Sequence, residues 1–342
     1  MTKVDLKRIE KIALLIFAGA VALFTVGALD RIISAKVFGL PFWWFYPAIV
    51  IILGVLLFLY LEHMKRCDRK GKRSAGLFFI NTMHRYRFLI EQLVERDFKI
   101  KYKRSVLGAF WSFLNPLLMM IVQYIVFSHL LGIRGNVEHY AIYLLCGIVM
   151  WNGFNDCSTQ AMRSITSNAA LITKVYVPKY IYPVTKVLSA SINILLSMIP
   201  LLLVTTVYGL FNGLYLSKAV LLLPFGLLLM LVFCIGMGFF LSSLMVFFHD
   251  IEFLWGFVST LWMYATPIIY SLSMFEEKAA WLVKLMQFNP MYHYIQFIRT
   301  IILERTSPAF TEYGICAAFS LVMFSLGFFM FRKMQDKFIL YL

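Results

Sequence analysis

The sequence predicts an all-α integral membrane protein, and three observations lead there. Hydrophobic residues make up 61% of the 342 positions and charged residues 14%, where a soluble domain carries roughly 25% charged. Mean hydropathy is +0.80; a chain of this length cannot hide so much apolar surface in a water-soluble core, so lipid must serve as solvent. Eight apolar runs recur, at residues 12–29, 42–61, 106–131, 140–165, 183–211, 219–248, 253–272 and 313–331. Each is close to the ~20 residues of helix that cross a hydrocarbon layer of ~30 Å. Helices satisfy their own backbone groups in lipid, so a helical bundle follows.

Orientation comes from the basic residues. With the N-terminus in the cytoplasm, the inner segments hold 24 of the 32 Lys and Arg and the outer segments 8. The positive-inside rule then places both termini in the cytoplasm, which an even number of spans also requires. The net charge of +15 is mostly this asymmetry, since thirteen basic residues fall within 62–104. Each is worth roughly 1 kcal/mol towards an anionic leaflet. No nucleic-acid motif accompanies the charge, so nucleic acid is not an expected partner. The five cysteines (Cys67, Cys146, Cys157, Cys234, Cys316) form no CxxC or Cys/His spacing. They are expected as packing residues without a disulfide.

Residues 1–73 read as an N-terminal transmembrane hairpin with a basic connector. The run 12–29 is longer than the 7–15 residues of a signal-peptide core, and Asp5 and Glu10 interrupt its basic flank. A retained helix is preferred to a cleaved leader. Residues 42–61 return the chain through a short outer loop. Residues 74–104 follow as an interfacial helix and a basic collar. In 77–94, apolar residues such as Leu77, Ile80 and Phe88 mix with Arg85, Arg87 and Glu91, as in an amphipathic helix lying in the membrane interface. A plain connector helix is the alternative. The collar of Lys99, Lys101, Lys103 and Arg104 ends abruptly at a long apolar run, as where a helix enters a bilayer from the cytoplasm.

Residues 105–342 form the six-span core. Trp111 and Asn115 lie four apart and share a helix face. In the next span Asn152, Asp156, Gln160 and Arg163 make one stripe, at spacings of 4, 4 and 3. Asp156 would cost about 2.5–3.5 kcal/mol facing lipid, so it must face protein or water. A structural contact and the lining of a wet pathway both remain open. Residues 168–182 are amphipathic and interrupted by Pro178, too short to span, and read as a cytoplasmic helix docking onto a partner. Gly236 and Gly238 permit close helix approach. The turn 247–253 carries Asp250 and Glu252 without basic neighbours in sequence. In the seventh span Trp255, Ser259, Trp262 and Thr266 form an aromatic and polar stripe. It fits either core packing or a platform for sugar rings. Residues 279–288 are apolar but stop at Asn289-Pro290, as a segment that dips into the membrane and returns.

Catalytic signatures are absent. No GxxxxGK[ST] phosphate loop, GxSxG or HExxH occurs. The six histidines are dispersed, and His249-Asp250 reads as a solvated turn. The chain is not expected to hydrolyse ATP alone, so any uphill work draws on a partner or an ion gradient.

Four blocks carry a resemblance: RDFKIKYKRSVLGAFWSFLNPLL, SNAALITKVYVPKYIYPV, VFFHDIEFLW and TPIIYSLSM with FNPMYHYIQFIR. In this order, over residues 77–342, they resemble the type-2 ABC exporter permeases, and more narrowly the subgroup exporting O-antigen, capsule, teichoic-acid-like and other lipid-linked polysaccharides. The resemblance implies a homodimer in a bacterial cytoplasmic (inner) membrane, with two copies of a separate ATP-binding subunit. ATP and Mg would sit on that subunit, and this chain would need no cofactor. It further implies six core helices, a gate helix at 77–94, a coupling helix at 168–182 and re-entrant outer helices over 279–299. The two N-terminal spans are additional to that core.

On this footing Lys99, Lys101, Lys103 and Arg104 are expected to attract the lipid diphosphate. Trp111, Asn115, Asn152, Asp156, Gln160, Trp255, Ser259 and Trp262 are expected to line the channel. Asn168, Leu171, Lys174, Tyr176 and Pro178 are expected to couple to the ATPase, and no catalytic or metal-binding residue is expected. Two rivals stand: an exporter of a small lipid or drug on the same fold, and a membrane glycosyl- or acyltransferase dependent on His249 and Asp250.

Overall fold

The computed structural model describes residues 6–37, 40–69, 82, 84–103, 105–130, 137–175, 177–274 and 279–342. Arg104, Tyr176 and residues 77–81 of the expected interfacial helix lie outside the described residues. The chain opens with α1 (Leu6–Gly27), α2 (Leu29–Ser34) and α3 (Phe42–Arg69). A two-residue antiparallel pair, Lys36–Val37 with Leu40–Pro41, closes the turn before α3. Glu10 and Lys65 form an ion pair of 2.6 Å between α1 and the end of α3. The expected connector 62–73 is therefore helical as far as Arg69.

α4 (Arg87–Tyr102) extends eight residues past the expected end at 94 and takes Lys99 and Lys101 into its last turn. The helix then breaks. Gly108 adopts φ +53°, in the left-handed region that glycine enters at little cost. α5 (Phe110–Tyr124) starts only after it and continues as one π-helical stretch, Ile125–Leu130. The third span thus begins at Phe110 rather than Val106, and Lys99 and Lys101 of the collar belong to α4.

α6 (Tyr140–Met162) is the axis of the bundle. Every residue from Ile142 to Trp151 is buried. α5, α8 (Ile181–Asn212), α9 (Leu223–Phe247) and α12 (Pro290–Ile302) surround it. Glycines set how closely they approach. A Cβ at Gly153 would lie 2.7 Å from Ile194 of α8, and one at Gly238 would lie 2.7 Å from the Ala161 Cβ.

α9 crosses α13 (Phe310–Met334) backbone to backbone. A Cβ at Gly236 would meet the Met323 backbone at 2.6 Å, and one at Gly327 would overlap the Gly236 carbonyl. The N-terminal hairpin docks on this core through the end of α1 and through α2. Phe24 meets the rings of Phe225 and Tyr313 at 5.7 and 5.4 Å, and Arg31 donates from Nε to the Ser307 carbonyl at 2.8 Å.

Three expected elements change length. Residues 168–182 hold only a six-residue helix, α7 (Ala169–Lys174), because α8 already starts at Ile181. Pro183 falls in the first turn of α8, where its missing N–H costs nothing, so it did not delay the helix. The seventh span is the 14-residue α10 (Ile251–Tyr264). At 1.5 Å per residue it is about 21 Å long, short of the hydrocarbon thickness. Thr266-Pro267 follows, and the residue before a proline is steered out of the helical region.

Residues 279–302 form α11 (Ala280–Gln287) and α12. Asn289 caps α12 by accepting from the Met291 amide at 3.0 Å, with Pro290 at the first helical position. A last turn, α14 (Phe338–Tyr341), ends the chain.

Among the described residues, six helices are long and apolar enough to cross a membrane; they begin at Glu10, Trp43, Phe110, Ile181, Lys218 and Phe310. α6 has 23 residues, about 34 Å, and misses that group only through its polar stripe. The protein is a multi-pass membrane protein. All five cysteines are free, with Cys67 half-buried and the other four buried.

The Gly236–Gly327 crossing leaves no space for a side chain. Gly327→Leu is expected to destabilise the bundle by about 1–3 kcal/mol through overpacking. Thermal unfolding of the detergent-solubilised protein would measure it.

Candidate functional site

The charged side chains gather at the end of the bundle where α4 crosses α6 and α8. Arg96 of α4 donates to Asp97 at 3.0 Å and to the Asn168 side-chain oxygen at 3.1 Å. Asp97 forms an ion pair with Lys186 of α8 at 2.9 Å, with side chains only 8% and 17% exposed. Lys101 pairs with Asp156 of α6 at 2.8 Å. The Tyr102 hydroxyl donates to the Asn193 side-chain oxygen at 2.7 Å and shares a hydrogen bond with Ser112. One helix, α4, thereby ties together the segment before α7, the buried face of α8 and the polar stripe of α6.

The collar divides in this arrangement. Lys101 turns inward to Asp156, while Lys99 pairs with Glu95 on the exposed face of α4 at 2.5 Å. Lys103 is exposed just past the helix. Glu252, without a basic neighbour in sequence, is paired after all: Arg163 at the end of α6 reaches it at 2.5 Å.

Three clefts run from this end along α6. The first, about 540 Å³, is lined by Arg96, Asp97, Lys101, Asp156, Gln160 and Lys186. Lys101 and Asp156 also line the second, about 490 Å³, together with Trp111, Asn115, Asn152 and Asn193. Its remaining polar groups are Tyr102, Ser112, Asn155 and Ser197. Asn152 and Met119 lead into the third, about 190 Å³, which reaches Gln123, Thr266 and Tyr270. Shared residues join the three into one path, with charge at one end, amides and hydroxyls in the middle, and a mostly apolar cleft against a non-helical turn at the other.

Five of the eight expected lining residues lie on this path: Trp111, Asn115, Asn152, Asp156 and Gln160. Trp255, Ser259 and Trp262 do not line it. Trp255 is buried against Phe154 and Trp262, with ring centroids 6.3 Å away in both cases. Ser259 is buried and donates to the Asn155 side chain at 2.8 Å. Trp262 donates from Nε1 to Asn289 at 2.7 Å. This stripe packs α10 onto α6 and anchors the start of α12, which is the core reading of the two left open. Its opposite side, with Phe253, Phe257 and Leu261, is exposed.

Of the expected coupling residues, Asn168 is buried and donates to the Ser164 carbonyl at 2.8 Å while accepting from Arg96. Leu171 and Pro178 are half-buried and Lys174 is exposed. Nearby Lys179 donates to the Gln335 carbonyl at 2.5 Å. Burial lowers its pKa, against the opposing pull of Asp336.

Sequence reasoning passed over Asn193, Ser197, Asn155 and Lys186. Asn193 and Ser197, four apart in an apolar span, were a readable signal. Nothing local pointed to Lys186, whose partner is 89 positions away on α4. His249 and Asp250 are both exposed, and the Asp250 side chain does not cap α10. No cluster of His, Cys, Asp or Glu suited to a metal occurs among the described residues.

Apolar helices flanking such a row of clefts suit a membrane transport protein. The chain belongs to the ABC-2 type transporter family, whose sequence model matches residues 89–303. α1 and α3 precede that match. Members of the family work with a partner ATP-binding subunit, and their role is transport rather than catalysis.

The chain is 29% identical over 259 residues to the O-antigen export system permease protein RfbA of Myxococcus xanthus, covering 76% of this chain and 97% of that protein. It is 27% identical over 250 residues to the protein of the same name from Klebsiella pneumoniae, covering 73% and 93%. The capsule polysaccharide export inner-membrane protein CtrC of Neisseria meningitidis is 25% identical over 174 residues, covering 50% and 63%.

The two ion pairs of α4 differ in burial, and so in worth. Lys101 and Asp156 are 39% and 45% exposed, so Asp156→Ala is expected to change stability by no more than about 1 kcal/mol. Asp97→Ala strands the largely buried Lys186 ammonium and is expected to cost about 3 kcal/mol. Thermal unfolding of the two variants side by side would separate these outcomes.

Proposed function

We propose that this chain is the membrane-spanning subunit of an ATP-driven exporter that moves a lipid-linked polysaccharide out of the cytoplasm. The carrying observation is the chemistry of the polar path. Beyond Lys101 and Asp156 at its mouth, its middle offers four asparagines, three hydroxyls and Trp111. Amides and hydroxyls exchange hydrogen bonds with sugar hydroxyls, and an indole face suits the axial C–H groups of a sugar ring. Many weak contacts in a row let a polymer slide, where one tight site would hold it. A small apolar cargo would favour an apolar lining. The O-antigen and capsule export relatives support the same cargo class.

The path is open to one side in a single chain, and exposed apolar residues of α5 and α10, such as Leu118, Ile121, Phe253 and Phe257, flank it. In our reading a second copy closes it, giving a homodimer served by two ATP-binding subunits that carry ATP and Mg. In this reading both termini and α4 lie on the cytoplasmic side of a bacterial inner membrane; the distribution of Lys and Arg supports the orientation. Lys101, with the exposed Lys99 and Lys103, attracts the lipid diphosphate at the entrance. ATP-driven movement of the partner presses on Asn168 and α7. Arg96 carries that movement into α4, whose Lys101 stands at the mouth of the path.

Reconstitution of the chain with its ATP-binding partner in vesicles tests this. ATP-dependent appearance of lipid-linked glycan on the far face is expected. A stable complex that hydrolyses ATP but moves no glycan would remove the cargo assignment.

Asn152 is exposed where two clefts meet. Asn152→Trp is therefore expected to lower export at least tenfold while the complex still forms and hydrolyses ATP. Arg96→Ala is expected to lower glycan moved per ATP hydrolysed; an unchanged ratio would remove α4 from the coupling route.

A further inference from the structure

α10 ends at Tyr264, and residues 265–270 are not helical. The carbonyls of Pro267, Ile268, Ile269 and Tyr270 are all taken up by side chains of α6 and α12. Arg299 donates from Nη1 to Pro267 at 2.7 Å and from Nη2 to Ile268 at 3.0 Å. The same Nη2 lies 3.2 Å from the carbonyl of Tyr143. The Tyr143 hydroxyl donates to Tyr270 at 2.8 Å, and the Tyr140 hydroxyl donates to Ile269 at 2.7 Å.

The Arg299 guanidinium sits 3.4 Å from the centre of the Tyr143 ring. It is 3% exposed and forms no ion pair among the described residues. Gly147 makes room for it: a Cβ there would lie 3.0 Å from Nη2 and 2.8 Å from Ile268. A buried cation is expensive unless its donors are matched. Here the two terminal nitrogens are matched mainly by a run of backbone that no helix claims, while Nε stays without a partner. Thr266, Ile268, Ile269 and Tyr270 of that run also form the far wall of the polar path.

We propose that Arg299 is a positioning residue for transport: its guanidinium fork, backed by Tyr143, holds segment 266–270 as the closure at the far end of the polar path. The proposal rests on the reading of that path as the transport route. Charge-assisted bonds are roughly twice as strong as neutral ones, and a planar fork serves several carbonyls at once, as the point charge of a lysine does not.

Ile269 is half-buried on the path wall and carries the probe. Ile269→Cys, with Cys67→Ser, is treated in spheroplasts with a membrane-impermeant maleimide; the other four native cysteines are buried. Arg299→Lys keeps the charge and loses the fork. It is expected to raise the labelling rate at least fivefold and to lower glycan export about tenfold, at unchanged protein level.

Tyr143→Phe removes one hydroxyl and keeps the ring under the guanidinium. It is expected to raise labelling about twofold, and it carries the test alone if Arg299→Lys does not accumulate. Unchanged labelling overturns the clamp. So does an equal rise at Ser217→Cys, half-buried away from the path, since that would be general loosening. The route is tested separately, by maleimide on Asn152→Cys. Export that continues through that modification refutes the route and leaves the clamp result standing.

Discussion

A backbone amide or carbonyl at membrane depth has no water to bind, and leaving one unsatisfied costs several kcal/mol. The long helices meet that requirement within themselves. The breaks between helices cannot, and each recruits specific side chains. Asn289 accepts from the first turn of α12 and from Trp262, and donates to Thr266 at 2.7 Å. Asn168 donates to the Ser164 carbonyl just past α6. Tyr140, Tyr143 and Arg299 satisfy four consecutive carbonyls after α10.

α4 stands outside the bundle core and still organises one end of it. It reaches three elements through three kinds of contact: a hydrogen bond to Asn168, a largely buried ion pair with Lys186 and a half-exposed one with Asp156. The burial is graded: the Lys186 contact is costly to break, whereas the Asp156 contact is worth little to stability. α1 and α3, by contrast, touch the core through the end of α1 and through α2, and leave long apolar faces uncovered, as helices in lipid do.

Much of the fold was legible because the features that carry it are local. Hydrophobic runs of span length and the stripe of Asn152, Asp156 and Gln160 can be read from spacing alone; most of the runs form long helices and the stripe lines the clefts, while the run 253–272 shortens to α10 and the collar divides. Prolines divide in their effect. Pro183 sits harmlessly in the first turn of α8, whereas the run 253–272, read straight through Pro267, stops as helix at Tyr264. The difference is position within a turn, which spacing does not reveal. The Trp255 stripe had two readings because a tryptophan in a bundle looks the same in sequence whether it meets Phe154 or a sugar.

The sequence by itself determined the class of the protein, the approximate helices and which of their faces are polar, since helical periodicity is a property of neighbouring residues. Only the tertiary structure decided where those faces point and what answers them. Lys101 and Asp156 are 55 positions apart, and Arg299 and Tyr143 are 156 apart. Such pairs form only when whole helices have packed, at distances set by small residues such as Gly147, Gly153, Gly236 and Gly327. A buried charge takes its partner from whichever helix the packing brings near.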